Sequence, residues 1–160
     1  MKYYSGKYKP RHPAKYDGDP SKIQFRSLWE RQLMRWCDHQ PSVKMWNSEE
    51  VVVPYISPVD LKYHRYFVDF KIDFINGKTF LIEVKPKAQT LPPTSTRKTK
   101  RMLQEVMTYS VNQAKWDAAS AYADKTGMEF AVWTEDSLTA LGIPLSVKRL
   151  PKLRRAKKNK

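Results

Sequence analysis

The stretch from Arg65 to Lys87 limits the possible folds more than any other part of the chain, because its hydrophobicity alternates on both sides of a turn signal. Apolar residues occupy every second position, at Tyr66, Val68, Phe70, Ile72 and Phe74 before the turn and at Phe80, Ile82 and Val84 after it. Period-two patterning around Asn76-Gly77 predicts a β-hairpin. The positions between them carry Asp69, Glu83 and Lys85, so one face of the predicted hairpin is charged.

The length of the turn decides which charged residues meet. A two-residue loop at Asn76-Gly77 would pair apolar with charged residues across the hairpin. A three-residue loop that also includes Ile75, with Gly77 left-handed in a bulge, pairs only apolar residues on one face. Because a one-residue slip exchanges the two faces, burial favours the second register. It sets Asp69 opposite Glu83, and a cation between them would remove their repulsion, so we predict a divalent-metal site.

Composition narrows the class of partner. The 160 residues predict one domain with tails, and the net charge of +14 (30 basic minus 16 acidic residues) predicts a polyanionic partner, most often nucleic acid. A ribosome-like or simply soluble basic protein would also explain the charge. The single Cys37 excludes an intrachain disulfide and a thiolate zinc site. No apolar run is long enough for a signal peptide or a transmembrane helix, so we expect a protein that is intracellular or is packaged from a cytoplasm, with no membrane partner.

Charge and composition divide the chain into three parts. Residues 1–18 form a basic, Tyr-rich arm that either grips a nucleic-acid backbone or packs on its own domain. Residues 19–142 hold the patterned segments and are predicted to form the domain. Residues 143–160 form a basic tail, which would add salt-sensitive affinity for DNA.

The patterned segments predict a helix, three antiparallel strands, a crossover helix and a further strand. The first helix spans 21–38, with Ser21 and Gln24 as a capping box and Gln40-Pro41 as its end. The strands comprise a buried run at 51–53 and the hairpin. The crossover helix spans 102–126, is expected in two pieces with the second starting at Ser110, and ends at Gly127. A parallel strand at 128–133 and a short helix capped by Thr134 follow.

Two further features have alternative interpretations. The polar loop at 86–101 is basic, and it either closes over a phosphate backbone or is disordered. Glu30 follows Arg26 by four residues on the first predicted helix. That spacing is typical of a surface ion pair, although Glu30 can also reach a site beside the hairpin.

The acidic residues and their spacing resemble those of the PD-(D/E)xK nuclease superfamily. V-D-F stands fourteen residues before E-V-K, with an upstream helical glutamate in R-S-L-W-E, and Val68 replaces the usual proline. The predicted element order is similar to the restriction-endonuclease-like core of that superfamily. The predicted fold class is therefore α/β, with an αβββαβ core, a mixed sheet flanked by helices, and basic N- and C-terminal tails.

Four separated segments narrow the resemblance to the head completion nucleases of tailed phages, which are similar to the TnsA-type endonucleases of transposons. They read D-P-S-K-I-Q-F-R-S-L-W-E, R-Y-F-V-D-F, I-E-V-K-P-K and N-Q-A-K-W, within residues 17–135. The resemblance implies a metal-dependent DNase, most simply an endonuclease, that acts during head completion after packaging. Its implied partners are double-stranded DNA and phage portal or head proteins, in the virion or in the host cytoplasm during assembly.

The chemistry of phosphodiester hydrolysis assigns roles to the matching residues. The implied catalytic residues are Glu30, Asp69, Glu83 and Lys85. Mg²⁺, with Mn²⁺ as a substitute, would bind Asp69, Glu83, the backbone oxygen of Val84 and, through water, Glu30. Lys85 would orient or deprotonate the attacking water or stabilise the charge on the phosphate. DNA contacts are expected from Lys87, Arg97, Lys98, Lys100, Arg101, Asn112 and Lys115.

Two other functions fit the same fold. One is a non-catalytic DNA-binding protein of head completion or of the connector that keeps a nuclease fold. The other is a nuclease resembling Holliday-junction resolvases. The Asp69, Glu83 and Lys85 set favours catalysis, because a DNA-binding protein has no need for acidic residues in a basic groove.

Overall fold

The computed structural model describes residues 4–146 and contains eight strands and three α-helices in that range. The strands are β1 (Gly6–Lys7), β2 (Gln24–Phe25), β3 (Val43–Ser48), β4 (Val52–Ile56), β5 (Tyr63–Phe67), β6 (Phe70–Phe74), β7 (Thr79–Val84) and β8 (Glu129–Trp133). The helices are α1 (Leu28–His39), α2 (Lys100–Thr126) and α3 (Glu135–Ala140).

A four-stranded mixed sheet lies at the centre of the fold, in the order β3-β6-β7-β8. Strands β3, β6 and β7 form an antiparallel meander, and β8 pairs with β7 in parallel after the crossover through α2. One apolar core on the sheet contains residues of α1, α3 and the N-terminal segment, and a second contains residues of α2 and the β4–β5 hairpin. The four strands of this sheet, taken together with α1 and α2, follow one another along the chain in the order αβββαβ. This order confirms the predicted fold class.

The predicted hairpin register is confirmed. Phe70 lies opposite Ile82 and Ile72 opposite Phe80, as apolar pairing required. Gly77 has a φ of 86°, in the left-handed region that the bulged three-residue turn needs.

The prediction of one continuous strand before the turn is wrong. The chain breaks at Val68-Asp69 into β5 and β6, and β5 leaves the central sheet to pair with β4. The backbone N–H of Val68 donates to the carbonyl of Val51 (3.0 Å) instead of extending the β6–β7 ladder. An alternating pattern has the same period in one bent segment as in two strands, so the pattern alone could not locate the break.

The first strand of the sheet is also not the predicted one. That place belongs to β3, which forms one edge of the sheet and pairs with β6, whereas Val52–Ile56 forms β4, which pairs only with β5. Pro54 lies within β4, where the missing ladder donor is tolerated because the strand has only one partner.

The start of α1 and the continuity of α2 differ from prediction. Ser27, not Ser21, caps α1, and its hydroxyl accepts the N–H of Glu30 (3.2 Å). Ser21 lies in a 3₁₀ turn, Pro20–Lys22, where Asp19 accepts its N–H. The predicted helix break at Ser110 is absent, because α2 runs unbroken to the left-handed Gly127. The sequence S-x-x-E at Ser27 matches the same capping pattern as the one chosen at Ser21, and only packing distinguishes them.

The N-terminal segment lies against the domain. Strand β1 pairs with β2, and Tyr16 is buried in the first core beside Trp46. The predicted basic tail begins at Ile143, which is buried, and its residues from 147 onward lie outside the described range. Within residues 4–146 no helix combines the length and the hydrophobicity needed to cross a membrane.

Candidate active site

The predicted acidic residues meet at one edge of the central sheet. At this edge β6 begins, and β7 and β8 end, because β6 runs antiparallel to the other two strands. Asp69 immediately precedes β6, while Glu83 and Val84 are the last residues of β7. The first turn of α1 brings Glu30 to the same edge, as the charge interactions described below indicate.

Asp69 is held by the strand that carries Glu83. Its Oδ2 accepts the backbone N–H of Val84 at 2.9 Å. Burial raises the pKa of Asp69 well above its usual value, and the neighbouring charge of Glu83 raises it further. The charge of Glu30 acts in the same direction, whereas the Val84 N–H and Lys85 lower the pKa. The two carboxylates of the hairpin are therefore close enough to repel each other.

Glu83 is 7% exposed and is held through both of its oxygens. The hydroxyl of Tyr66 donates to Oε2, and the ammonium of Lys85 lies 3.5 Å from Oε1. Tyr66 lies on β5, so the departure of that strand from the sheet brings its hydroxyl to the carboxylate. Burial raises the pKa of Tyr66, and the negative charge of Glu83 adds to the effect, so the phenol remains a donor.

Glu30 is not paired with the guanidinium of Arg26. Its Oε2 accepts the backbone N–H of Arg26 (2.9 Å), while the Arg26 side chain pairs with Glu49 (2.9 Å). Burial raises the pKa of Glu30, and the charges of Glu49 and Glu83 contribute in the same direction. The surface ion-pair interpretation is therefore wrong, and Glu30 is a partly buried carboxylate near Glu83 and Asp69.

The donor atoms at this edge suit a hard cation that keeps several water ligands. No group of three or more His, Cys, Asp or Glu residues within positions 4–146 is arranged to enclose a metal ion. Mg²⁺ typically uses one or two carboxylates and water, so two repelling carboxylates fit it better than they fit an ion that requires a closed protein cage. The carbonyl and N–H of one strand residue point the same way, so the Val84 carbonyl faces the side on which its N–H meets Asp69.

Asn112 and Lys115, which were predicted to contact DNA, lie in the middle of α2 and not at the start of a helix. Lys115 places its ammonium over the rings of Tyr55 (5.8 Å) and Tyr66 (5.7 Å). It is thereby held next to the tyrosine that contacts Glu83. Asn112 is buried and borders a cavity of about 660 Å³ between α2 and the segment from Ala88 to Thr94. The expectation of a helix N-terminus at these two residues is wrong, because α2 begins at Lys100.

The basic residues predicted to contact DNA differ in their surroundings. Lys87 donates its backbone N–H to Glu135 and its ammonium to Asp136 (3.1 Å), at the start of α3. Arg101 pairs with Glu105 one turn along α2 (3.1 Å). The others, Arg97, Lys98 and Lys100, are exposed and form no ion pair with any residue between positions 4 and 146.

Tyr66 is the site residue that the sequence reasoning missed. It was assigned to the apolar face of a continuous strand together with Val68, opposite the face of Asp69. A signal existed, because a buried tyrosine hydroxyl needs a hydrogen-bond partner and an apolar face offers none. The break at Val68-Asp69 supplies that partner by turning Tyr66 toward Glu83.

Comparisons with known proteins place the chain in a family of nucleases. A family model described as the TnsA-like endonuclease N terminal matches residues 40–135. The head completion nuclease of Enterobacteria phage T4 is 44% identical over 144 residues, which are 87% of this chain and 96% of that protein. No solved structure matches the chain significantly. The matched range contains Asp69, Glu83 and Lys85, and the pairwise similarity extends over most of the chain. The chain therefore belongs to the family of phage head completion nucleases and carries their TnsA-like endonuclease domain.

Proposed function

We propose that this protein is a Mg²⁺-dependent DNA endonuclease of the PD-(D/E)xK type that acts during phage head completion. The observation that carries the proposal is the meeting of Asp69 and Glu83 at one sheet edge, with Lys85 beside them. Repulsion between buried carboxylates is unfavourable for folding, and a bound cation would offset it. The family membership supports the nuclease activity itself.

In this proposal the site residues divide into metal ligands and residues that orient the reacting groups. Asp69, Glu83 and the Val84 carbonyl would bind the metal, and Glu30 would contact it through water. The metal, when bound, supplies positive charge for the phosphate and a more acidic water. Tyr66 fixes the orientation of Glu83 through its hydrogen bond. Lys85 lies against Glu83, from where its ammonium can hold the attacking water or the phosphate oxygens.

The net charge and the phage T4 relative support double-stranded DNA as the substrate. A net charge of +14 suits the phosphate backbone of double-stranded DNA. The phage T4 relative is named for head completion, which supports action on DNA in the assembling head or the finished virion, next to portal or head proteins. Among the basic residues predicted to contact DNA, the exposed Arg97, Lys98 and Lys100, together with Lys115, would contact the phosphate backbone.

Plasmid cleavage tests the proposal. Wild-type protein with Mg²⁺ should nick or cut a supercoiled plasmid, EDTA should abolish the reaction, and Mn²⁺ should restore it. Asp69→Ala and Lys85→Ala should each lose cleavage while remaining folded by circular dichroism. Asp73→Asn is the matched control, because Asp73 lies on β6, which Asp69 directly precedes, but it accepts the Thr79 hydroxyl and pairs with Lys71. It should cleave at the wild-type rate.

Two results would reject the assignment. If the wild type binds but never cuts DNA, a non-catalytic DNA-binding role in the head is the better description. If both Asp69→Ala and Lys85→Ala cut like wild type, the chemistry lies elsewhere. A preference for four-way junctions over linear duplex would instead favour a resolvase-like nuclease.

A further inference from the structure

A group of basic side chains lies on α1 and the N-terminal segment, around a cavity whose lining includes none of Glu30, Asp69 and Glu83. A cavity of about 260 Å³ opens between α1 and the N-terminal segment. The residues lining it are Tyr8, Lys9, Arg11, Arg31, Arg35, Asp38 and His39. We call this cavity the arm pocket.

One buried carboxylate holds the two sides of the arm pocket together. Asp38, which is 1% exposed, accepts the Tyr8 hydroxyl (2.9 Å) and the backbone N–H groups of Arg11 (2.7 Å) and His12 (2.9 Å). These bonds fix the N-terminal segment on α1. They use the backbone of Arg11, so the guanidinium of that residue remains available at the cavity.

One face of α1 forms the other side of the arm pocket. Arg31, Arg35 and His39 follow one another at four-residue intervals, so they project from one face of α1. One basic residue in the last turn would be enough to complement the helix dipole. Here two arginines of the helix converge with Lys9 and Arg11 of the N-terminal segment.

The positive charges of the arm pocket outnumber its one carboxylate, that of Asp38. Neither Lys9 nor Arg11, Arg31 or Arg35 forms an ion pair with a residue in the 4–146 range. The one acid in the lining, Asp38, is already surrounded by three hydrogen-bond donors. Gathering four cations around a cavity raises the electrostatic energy of the free protein, and an anion with several charged oxygens would lower it.

We propose that the arm pocket binds the phosphodiester backbone of DNA and holds the duplex beside the active site. The inference rests on the proposed action on DNA. Arg31 directly follows Glu30, and Arg35 lies about 7.5 Å from Glu30 along the α1 axis, at 1.5 Å per residue. One strand of a duplex covers that distance in about two nucleotides of 3.4 Å rise, so a strand near Glu30 can reach the arm pocket. Bidentate guanidinium groups suit phosphate oxygens at this position.

The test measures DNA binding by the full chain in EDTA, where metal-dependent cleavage is off. A fluorescent duplex is titrated at several salt concentrations with wild type, Arg31→Gln/Arg35→Gln and Lys9→Gln/Arg11→Gln. Each double variant should weaken binding about tenfold or more at 0.1 M salt and reduce the slope of log Kd against log salt by about 2. The Arg11 substitution keeps the backbone donor to Asp38, so the second variant leaves the pocket frame intact.

A charge-matched control separates a local site from bulk charge. Lys44→Gln/Lys125→Gln removes the same two charges at exposed positions outside the arm pocket, and it should keep most of the affinity and the slope. The proposal is overturned if both pocket variants bind DNA like wild type, or if the control loses as much as they do. It is also overturned if inorganic phosphate alone raises the melting temperature of the wild type but not of Arg31→Gln/Arg35→Gln, while both bind DNA equally.

The outcome is independent of the catalytic proposal. A wild type that never cuts plasmid with Mg²⁺ would reject the endonuclease function, yet loss of DNA affinity in the two pocket variants would still support the arm pocket. Conversely, normal cleavage together with unchanged affinity in those variants would reject the arm pocket alone.

Discussion

At the scale of single residues, the candidate site depends on how two acidic side chains tolerate each other. Asp69 is stabilised by one backbone N–H, whereas Glu83 has a phenol and an ammonium on its two oxygens. Asp69 is thus the less compensated of the two, and its raised pKa reflects burial and the charge of Glu83. Without a metal, the repulsion between these two carboxylates therefore destabilises the folded protein. A substitution that removes one of the two charges should then increase the free energy of unfolding.

Asp69→Asn should make the metal-free protein more stable at neutral pH, by about 1 kcal/mol, because it removes one of two like charges and keeps an acceptor for Val84. The same change should abolish the rise in melting temperature on adding Mg²⁺ or Mn²⁺, since ligand binding to the native state is the source of that rise. Thermal unfolding with and without metal measures both effects.

Asp73→Asn is the control for this comparison, because Asp73 is bonded to Thr79 away from the site. It should leave the metal response unchanged. A metal-free Asp69→Asn protein that melts below wild type, yet still responds to Mg²⁺, would contradict the assignment.

At the scale of elements, the cap of α1 connects helix formation to the site. Ser27 accepts the N–H of Glu30, while the Glu30 carboxylate accepts the N–H of Arg26. The 3₁₀ turn at Pro20–Lys22 ends at the extended Ile23 and is followed by β2, so these bonds fix the start of α1 after that strand. The same bonds set the position of the Glu30 carboxylate at the sheet edge.

Ser27→Ala should lower the free energy of unfolding by about 1 kcal/mol, the usual effect of losing an N-cap side chain. Ser21→Ala is the informative comparison, because Ser21 would be the cap if the helix began where its pattern first suggests. In the structure Ser21 serves only the exposed 3₁₀ turn, so its loss should change stability by less than about 0.5 kcal/mol. Urea denaturation of the two variants compares them, and the reverse order of effects would place the helix start at Ser21.

At the scale of the whole molecule, Asp38 joins the N-terminal segment to α1 across about thirty residues of sequence. Burial by itself would raise the pKa of Asp38, but hydrogen bonds from the N–H groups of Arg11 and His12 and from the Tyr8 hydroxyl lower it overall. The ionised form is therefore favoured by folding. Its stabilisation is complete above the unfolded pKa of about 3.9 and is lost as the pH falls through the lower folded pKa.

Asp38→Asn should destabilise the protein by about 2 kcal/mol at pH 7, because the neutral amide cannot replace a carboxylate that accepts three hydrogen bonds. The difference from wild type should begin to shrink as the pH falls below about 4, the unfolded pKa, and should disappear below the lower pKa at which folded Asp38 takes up its proton. Urea unfolding across this pH range measures the difference. Asp124→Asn, at an exposed position of α2, is the control and should have the same free energy of unfolding as wild type at each pH. If the difference between Asp38→Asn and wild type did not change with pH, the charge of Asp38 would not be the stabilising factor.

Prediction from sequence succeeded where the signal was local. The pairing of Phe70 with Ile82, the left-handed Gly77 and the parallel β8 all agree with the structure. It failed where two local patterns were equally good, as at the caps Ser21 and Ser27, or where one period covered two strands, as at Val68-Asp69. No pattern marks such a choice, because the energy that decides it comes from contacts with distant segments.

The amino-acid sequence by itself determined the register of the β6–β7 hairpin, and with it the proximity of Asp69 and Glu83. Alternation and turn chemistry act between neighbouring residues, so they can be read without a structure. Only the tertiary structure decided that β5 leaves the sheet and brings Tyr66 to Glu83, and that Lys9 and Arg11 meet Arg31 and Arg35. These contacts depend on burying β4–β5 against α2 and the N-terminal segment against α1, which is a property of packing and not of local pattern.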